Sequence, residues 1–271
     1  MSSQVETVKG PNPLVKALRN KRVLNAISII GFLLIWDLAV QSGLLAIMPR
    51  PHEVLLRWVE LMHEPYAGHT LPIHVWISFR RVIIAFLLAA AIGIPTGVIM
   101  AFSKFAHAVI RPIFEFFKPM PPIAWISLSI LWFGLGETSK IFLIFIGCVV
   151  PCILNSYNGI RLVDPELYDA VRNLGANYWQ EQTQVTFPAS LPAIFAGLQV
   201  ALSSGWTCVV AAELVGAREG IGYLTFVGMK QDDIAMTIGG ILTICLVSFL
   251  SSLFLTYLER WLCPWKRNIS E

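Results

Sequence analysis

The stretch Asp169–Pro188, DAVRNLGANYWQEQTQVTFP, is a short polar segment between long apolar runs. Its neighbours are apolar enough to lie in lipid, whereas an irregular polar segment needs water or a protein partner for its backbone groups. We therefore expect this segment to face water and to contact a soluble protein. The pattern predicts a membrane protein whose polar loop is bound by a partner.

The composition of the whole chain agrees with a membrane location. Of its 271 residues, 56% are hydrophobic and 14% are charged, with a mean hydropathy of +0.67. A soluble domain would carry about 25% charged residues. The net charge of +3 is too small and too dispersed for a nucleic-acid-binding protein, so no nucleic acid is expected among the partners.

Six apolar stretches are long enough to cross a bilayer as helices, since each needs roughly 20 residues. They cover about 23–41, 77–102, 109–133, 141–160, 192–214 and 234–258. Because an open sheet cannot satisfy its backbone in lipid, we predict an all-α integral membrane protein with six transmembrane helices. The first stretch is not followed by a small-residue cleavage site, which favours a retained anchor over a removed signal.

These stretches divide the chain into four parts. We predict a cytoplasmic N-terminal tail at 1–22, a first transmembrane helix with an outer interfacial segment at 23–72, a five-helix core at 73–260 and a cytoplasmic C-terminal tail at 261–271. The polar loop occupies 161–190 within the core. The five cysteines lie in or beside apolar segments without CxxC spacing, so we expect them to pack as small apolar residues, and we predict no metal site.

The orientation follows from the Lys and Arg residues in the connections. With the N-terminus in the cytoplasm, the inner segments hold twelve of them and the outer segments seven. Cytoplasmic loops carry the excess of positive charge in multi-pass proteins. We therefore predict that both termini and the polar loop are cytoplasmic.

Local signals place two short helices in the loop. Asp164 and Pro165 suit the start of a helix, as a cap and a first-turn residue. Gly175 is expected to end that helix with a left-handed residue. A second short helix is expected over about 177–185, running to Pro188. By itself this pattern also fits an ordinary amphipathic loop.

The spacing within the loop closely resembles the EAA loop of ABC importer permeases. Asp169-Ala170-Val171, three residues, Gly175, nine residues and Val185-Thr186-Phe187-Pro188 reproduce each interval of that pattern. The resemblance extends to four further stretches: PRPHEVL near residue 50, SFRRV from Ser78, FFKPMPPIAWISLSILWFGLGETSKIF from Phe116 and GWTCVVAAELVGAREGIG from Gly205. Together they are similar to the nitrate, sulfonate, taurine and bicarbonate branch, and most similar to taurine-type permeases.

This resemblance implies a fold, partners and coupling residues. The fold would be that of a type I ABC importer permease in a bacterial plasma (inner) membrane. Two copies of the chain would sit on a homodimeric ATP-binding subunit, which uses ATP and Mg²⁺, and an extracytoplasmic solute-binding protein would deliver a small anionic or zwitterionic solute. Contact with the ATPase is expected through Asp169, Ala170, Val171, Gly175, Val185 and Pro188.

The chain itself lacks enzyme motifs. It contains no G-x-x-x-x-G-K-[ST] phosphate loop, no HExxH and no GxSxG, so we predict no catalytic residue and no cofactor bound by this chain. Energy must then come from another chain or from an ion gradient. A self-contained ion-coupled transporter is the alternative from a different class, although the inverted repeats expected of it are not visible in the sequence.

Two stretches are candidates for the translocation pathway. Lys118 lies beside three prolines, Pro119, Pro121 and Pro122, which break the predicted third span. It is expected either to meet the anionic solute or to neutralise Glu115 near the interface. In span five, Ser203, Ser204 and Trp206 either line a narrow point gated by the indole ring or provide close helix packing.

A polar turn follows span five. Glu213, Arg218 and Glu219 are interspersed with glycines at 216, 220 and 222. We expect these three residues either to receive the binding protein or to cap the span. Within the family the solute is expected to be taurine or another small sulfonate, with nitrate, bicarbonate or another small organic anion as the alternative.

Overall fold

The computed structural model describes residues 21–45 and 47–265, and this part of the chain is helical almost throughout, without a β-sheet. Its α-helices in chain order are α1 Lys21–Gln41, α2 Pro51–His63, α3 Leu71–Phe102, α4 Lys104–Phe117, α5 Ile126–Phe133, α6 Glu137–Arg161, α7 Pro165–Asn173, α8 Tyr178–Glu181, α9 Phe187–Leu214, α10 Ile221–Lys230 and α11 Ile234–Leu262. Most of the predicted N-terminal tail, and residues 266–271 of the predicted C-terminal tail, lie outside the described residues.

Among the described helices, five are long and apolar enough to cross a membrane. They are Val23–Gln41, Leu71–Phe102, Glu137–Arg161, Tyr178–Leu214 and Ile234–Leu262. These helices coincide with the predicted first, second, fourth, fifth and sixth spans. The all-helical membrane fold predicted from the sequence is thus confirmed.

The predicted third span is not one continuous helix. It comprises α4, which ends at Phe117, a 3₁₀ turn at Pro122–Trp125 and the short α5. The break falls at Lys118–Pro121, where the prolines remove backbone donors and clash with an α-helical path. The sequence therefore located the break correctly but overestimated the length of the uninterrupted helix.

The chain divides into two compact units, one up to Arg57 and the other from Trp58 onward. In the first unit, no residue of Val23–Gln41 is buried, although the segment is strongly apolar. A helix that is apolar on all sides and exposed on all sides suits a lipid environment. This is the arrangement expected of a membrane anchor.

In the second unit, α3, α6 and α9 pack together as a tight three-helix core. Its buried residues include Val82, Ile144, Cys148 and Trp206, and the Cys148 thiol donates to the carbonyl of Ala201 (3.2 Å). A Cβ added at Gly97 of α3 would overlap the carbonyl of Ile153 on α6. Small residues thus bring the helix backbones into contact, as membrane helix packing requires where lipid supplies no hydrophobic driving force.

Candidate functional sites at the two ends of the bundle

The first candidate site is the polar loop, which begins with α7. The Asp164 carboxylate accepts a hydrogen bond from the N–H of Glu166 (3.0 Å), and Pro165 occupies the first turn. The helix ends at Asn173, and Gly175 follows with φ of +84°. Residues other than glycine rarely adopt this left-handed backbone conformation. The predicted start and stop of this helix are therefore confirmed.

The second short helix of the loop differs from its prediction. Asn177 and Gln180 form a reciprocal capping box (2.8 and 2.9 Å) that starts α8. A π-helical turn at Gln182–Thr186 then carries the chain into α9, so Tyr178–Leu214 runs as one helix through Pro188. The wider π turn lies where an α-helical carbonyl would meet the proline ring, which explains why Pro188 does not end the helix.

One ion pair joins the two helices of the loop. The Arg172 guanidinium on α7 donates from Nε and Nη2 to the two carboxylate oxygens of Glu181 on α8, both at 2.9 Å. This bidentate pair raises the pKa of Arg172. Its planar geometry fixes the angle between the helices more tightly than a single contact would.

The surface of the loop carries solvent-exposed apolar side chains. Leu174 is 86% exposed and Trp179 is 74% exposed. Among the predicted coupling residues, Asp169, Ala170 and Gly175 are exposed, while Val171, Val185 and Pro188 are half-buried. Exposed apolar groups clustered on a polar protrusion mark a surface for another protein.

The second candidate site is the break after α4. Lys118 caps α4, and its ammonium lies 3.3 Å from the Glu115 carboxylate. Both side chains are partly exposed, at 37% and 48% respectively. The pairing of Lys118 with Glu115, one of the two predicted alternatives, is thus present.

Trp206 does not lie where the pathway prediction placed it. The indole is only 2% exposed and belongs to the core, with the Phe79 ring centroid 6.4 Å from its own. This enclosure agrees with the packing alternative for Trp206. Ser203 on the same helix is exposed and Ser204 is half-buried, so these hydroxyls remain accessible.

The third candidate site lies at the other end of the three-helix core. Here a polar network, named the Arg81 cluster, consists of Ser78, Arg81, Glu137, Glu213 and Glu219, of which Ser78, Arg81 and Glu213 are buried. The Arg81 side chain has no exposure. It donates to both carboxylate oxygens of Glu137 (2.8 and 2.6 Å), to Glu213 Oε1 (2.7 Å) and to the carbonyl of Glu219 (2.9 Å). One guanidinium therefore joins the start of α6, the end of α9 and the turn after it.

Glu213 is equally enclosed, which agrees with the second of its two predicted roles, at the end of span five. Its side chain has no exposure, and it accepts from Ser78 Oγ (2.7 and 3.0 Å) and from the N–H of Gly222 (2.8 Å). Gly220 has φ of +119°, and a Cβ there would overlap this carboxylate. A fully bonded buried carboxylate has no capacity left for a second protein.

The other two residues of that predicted site are accessible. Arg218 is exposed, and the Glu219 side chain is 38% exposed. Glu219 also lies 3.4 Å from His69 Nε2. The turn thus presents one exposed cation, Arg218, and one partly engaged carboxylate, Glu219, the latter a member of the Arg81 cluster.

Sequence reasoning missed the Arg81 cluster. Four of its members stand in the stretches SFRRV, GLGETSK and VAAELVG, and Glu219 follows in the polar turn. Glu213 and Glu219 were predicted as part of that turn, but not as partners of Arg81. Each of these stretches puts an ionisable residue inside or at the edge of an apolar run, which is unfavourable unless the charges pair. That cost was the available signal for a network of opposite charges.

Comparison with known proteins gives the same assignment along most of the chain. Residues 93–267 match the family model described as "Binding-protein-dependent transport system inner membrane component". The chain is 33% identical to the taurine transport system permease protein TauC of Escherichia coli (strain K12), over 82% of this chain and 81% of that protein. It is 33% identical to the putative aliphatic sulfonates transport permease protein SsuC of Bacillus subtilis (strain 168), over 86% and 84%.

A further relative and a solved structure extend the comparison. The nitrate import permease protein NrtB of Synechocystis sp. is 30% identical over 93% of this chain and 94% of its own length. The inward-facing MetNI methionine ABC transporter has a chain that superimposes with a TM-score of 0.59 at 16% identity, covering 69% of this chain and 93% of that one. At this identity the likeness concerns the fold alone.

The relatives are permease subunits, which are not themselves enzymes, since ATP hydrolysis in such systems belongs to a separate subunit. Permeases of ABC importers act together with that subunit and with a solute-binding protein. The chain belongs to the binding-protein-dependent transport system inner membrane component family and is a multi-pass permease subunit of an ABC importer, in the branch that includes taurine, sulfonate, nitrate and bicarbonate permeases.

Proposed function

We propose that this chain forms the membrane channel of an ATP-driven importer for taurine or another small sulfonate. Two copies would form the channel, a homodimeric ATP-binding subunit would supply energy from Mg-ATP, and an extracytoplasmic protein would deliver the solute. Family membership supports this division of labour. The similarity to the taurine and sulfonate permeases supports the solute class.

The coupling surface is proposed to be the polar loop at 161–190, named the coupling loop from here on. The observation that carries this proposal is a polar protrusion with strongly exposed apolar side chains, among them Leu174 and Trp179. Caps and the Arg172–Glu181 pair stabilise it from within, so it is suited to move as one body when a partner closes on it. Asp169, Ala170, Val171 and Gly175 would form the contact, and Val185 and Pro188 would connect it to α9.

The orientation is proposed from charge. With the loop in the cytoplasm of a bacterial inner membrane, both termini are cytoplasmic and the Arg81 cluster lies near the outer face. The proposed domain organisation is a cytoplasmic tail at 1–22, an anchor with an outer interfacial segment at 23–72, the core at 73–260 and a cytoplasmic tail at 261–271. Arg218 and Glu219 would be the contact for the solute-binding protein.

The pathway is proposed to run past the break after α4. Lys118, Pro119, Pro121 and Pro122 leave backbone groups outside a helical ladder, which membrane proteins tolerate where the segment is buried in protein or lines water. Ser203 and Ser204 would contribute hydroxyls from α9. Among alternative solutes, nitrate is supported by the similarity to NrtB over 93% of the chain.

Reconstitution tests this function. The chain is purified with its ATP-binding subunit and its binding protein, and uptake of labelled taurine is measured in proteoliposomes. We expect uptake to require ATP and all partners and to persist when ionophores collapse the proton and sodium gradients. Gradient-driven uptake by the chain alone would overturn the proposal, and ATP-driven uptake of nitrate but not of sulfonates would replace the solute.

A further inference from the structure

A cavity lies between α3, α4 and α6, near the end of α6 that leads into the coupling loop. Its volume is about 110 Å³, and a water occupies about 30 Å³ in the liquid, so it has room for a small organic solute. The polar part of its wall is formed by Arg111, Glu115, Tyr157 and Asn158. A small cavity with one cation and one carboxylate in its wall is suited to a ligand that carries both charges.

Arg111 supplies the positive side of this cavity. Its Nη1 lies 3.2 Å from His107 Nε2, and within residues 21–45 and 47–265 no carboxylate pairs with it. Because a guanidinium only donates hydrogen bonds, His107 Nε2 must accept this one. The other guanidinium N–H groups are then available to an oxyanion, for which the planar fork of arginine is well matched.

Tyr157 is oriented by the same histidine. Its hydroxyl lies 3.0 Å from His107 Nε2, and the two rings stack with centroids 5.5 Å apart. Nε2 has a single lone pair, which the Arg111 N–H and the Tyr157 hydroxyl share as donors, and the phenolic oxygen keeps its own lone pairs as acceptors. Those lone pairs can accept a hydrogen bond from an ammonium group.

Glu115 supplies the negative side. It stands one helical turn after Arg111, a spacing that puts the two Cβ atoms roughly 5–6 Å apart on the same face of α4. Its present partner is Lys118, at 3.3 Å, and the pair is partly solvated. Exposed pairs of this kind contribute about 0–1 kcal/mol, so an ammonium group that enters the cavity competes with a weak partner.

We propose that this cavity is a specificity site for a zwitterion whose sulfonate binds Arg111 and whose ammonium binds Glu115 and Tyr157. This inference rests on the proposed function and adds a residue-level reason for an aminosulfonate as the solute. A plain anion such as nitrate gains Arg111 but brings no ammonium for Glu115 and Tyr157, and Glu115 keeps only its weak pair with Lys118. The site therefore discriminates in favour of taurine at the permease, independently of the binding protein.

The test compares two solutes of the same length. Binding of labelled taurine and of labelled isethionate, which has a hydroxyl in place of the ammonium, is measured on the purified permease–ATPase complex without the binding protein. The variant Glu115→Gln is expected to weaken taurine binding by about tenfold, the value of one charge-assisted hydrogen bond, and to leave isethionate binding unchanged. Arg111→Gln is expected to weaken both solutes.

Three controls separate this site from a structural role. Lys118→Gln removes the cation that competes for Glu115, so it should not lower the ratio of taurine affinity to isethionate affinity. If the only role of Glu115 were to pair with Lys118, Lys118→Gln would have the same effect as Glu115→Gln. Lys104→Gln at the start of α4 and Glu64→Gln, both exposed, should change neither solute. Equal loss of both solutes in Glu115→Gln, or no loss in either variant, overturns the site. If the wild-type reconstituted importer transports no sulfonate, the proposed function fails instead.

Discussion

The two ends of the three-helix core use charge in opposite ways. In the Arg81 cluster, the arginine and Glu213 are fully buried and satisfied by groups of the same chain. In the coupling loop, the Arg172–Glu181 pair has its guanidinium at the surface, and the apolar side chains of Leu174 and Trp179 are strongly exposed. The first arrangement holds helices together, whereas the second leaves apolar surface for another protein. We therefore assign the stability of the fold to one end and propose the contact with a partner at the other.

The largest expected effect comes from the buried end. Arg81→Met leaves the Glu213 carboxylate without its buried counter-charge, and breaking a buried pair from one side costs about 3–5 kcal/mol. We expect severe loss of folded protein, measured as yield and thermal stability of the purified chain in detergent. Arg80→Met is the matched control. Arg80 is 51% exposed and lies 3.6 Å from Glu137, and a surface pair of this kind contributes about 1 kcal/mol or less.

A double variant sharpens this result. Replacing both Arg81 by Met and Glu213 by Leu removes the two fully buried charges together, so it should recover part of the stability lost in Arg81→Met. The same thermal measurement on the two single variants and the double variant gives the coupling energy. If the loss of stability in the double variant equalled the sum of the losses in the two single variants, the two side chains would not act as a pair.

At the exposed end we expect loss of transport with little loss of folded protein. Gly175→Trp imposes a left-handed backbone on a residue with a side chain, at about 1–2 kcal/mol, and places an indole on the coupling surface. Uptake and solute-stimulated ATP hydrolysis should fall sharply while yield stays near normal. Full uptake by this variant would show that the loop does not dock as proposed.

Gly43 offers a matched control for that substitution. It also has a positive φ, of +77°, and like Gly175 it has no atom within 4 Å of an added Cβ. Gly43→Trp therefore has the same local strain at a position outside the coupling loop and outside the proposed contact for the binding protein. We expect it to retain uptake, so a similar loss in both variants would attribute the effect to strain and not to docking.

The smallest expected effect concerns the half-exposed pair after α4. Lys118→Met should change thermal stability by about 1 kcal/mol or less, because both partners are partly solvated. Glu115→Gln combined with Lys118→Met should restore the stability of the wild type. A large destabilisation by Lys118→Met alone would show that this pair is a structural anchor comparable to the Arg81 cluster.

Local features were predictable from the sequence because they depend on near neighbours in the chain. Asp164 and Pro165 start α7, and Gly175 ends it, as local backbone chemistry requires. The prolines after Lys118 break the third predicted span for the same reason. Pro188 was the exception: its backbone conflict is absorbed by a π turn, a rare adjustment that local propensity does not predict.

Contacts distant in sequence were not predictable in this way. Arg81 and Glu213 are 132 residues apart, and nothing in the helical periodicity of either segment indicates the other. Trp206 was assigned to a pathway because of its small neighbours, yet the side on which its ring packs is decided by α3 and α6. Burial of this kind follows from tertiary packing, which overrides what a single helix indicates.

Site-specific photo-crosslinking tests the central claim, that the exposed apolar side chains of the coupling loop contact the ATP-binding subunit. A photoreactive residue is introduced at Leu174 or Trp179 of the assembled importer, with Leu131 on α5, which is 79% exposed, as the control. We predict adducts with the ATP-binding subunit from Leu174 and Trp179 and none from Leu131. Failure of both loop positions to form this adduct, or equal adducts from all three positions, would contradict the claim.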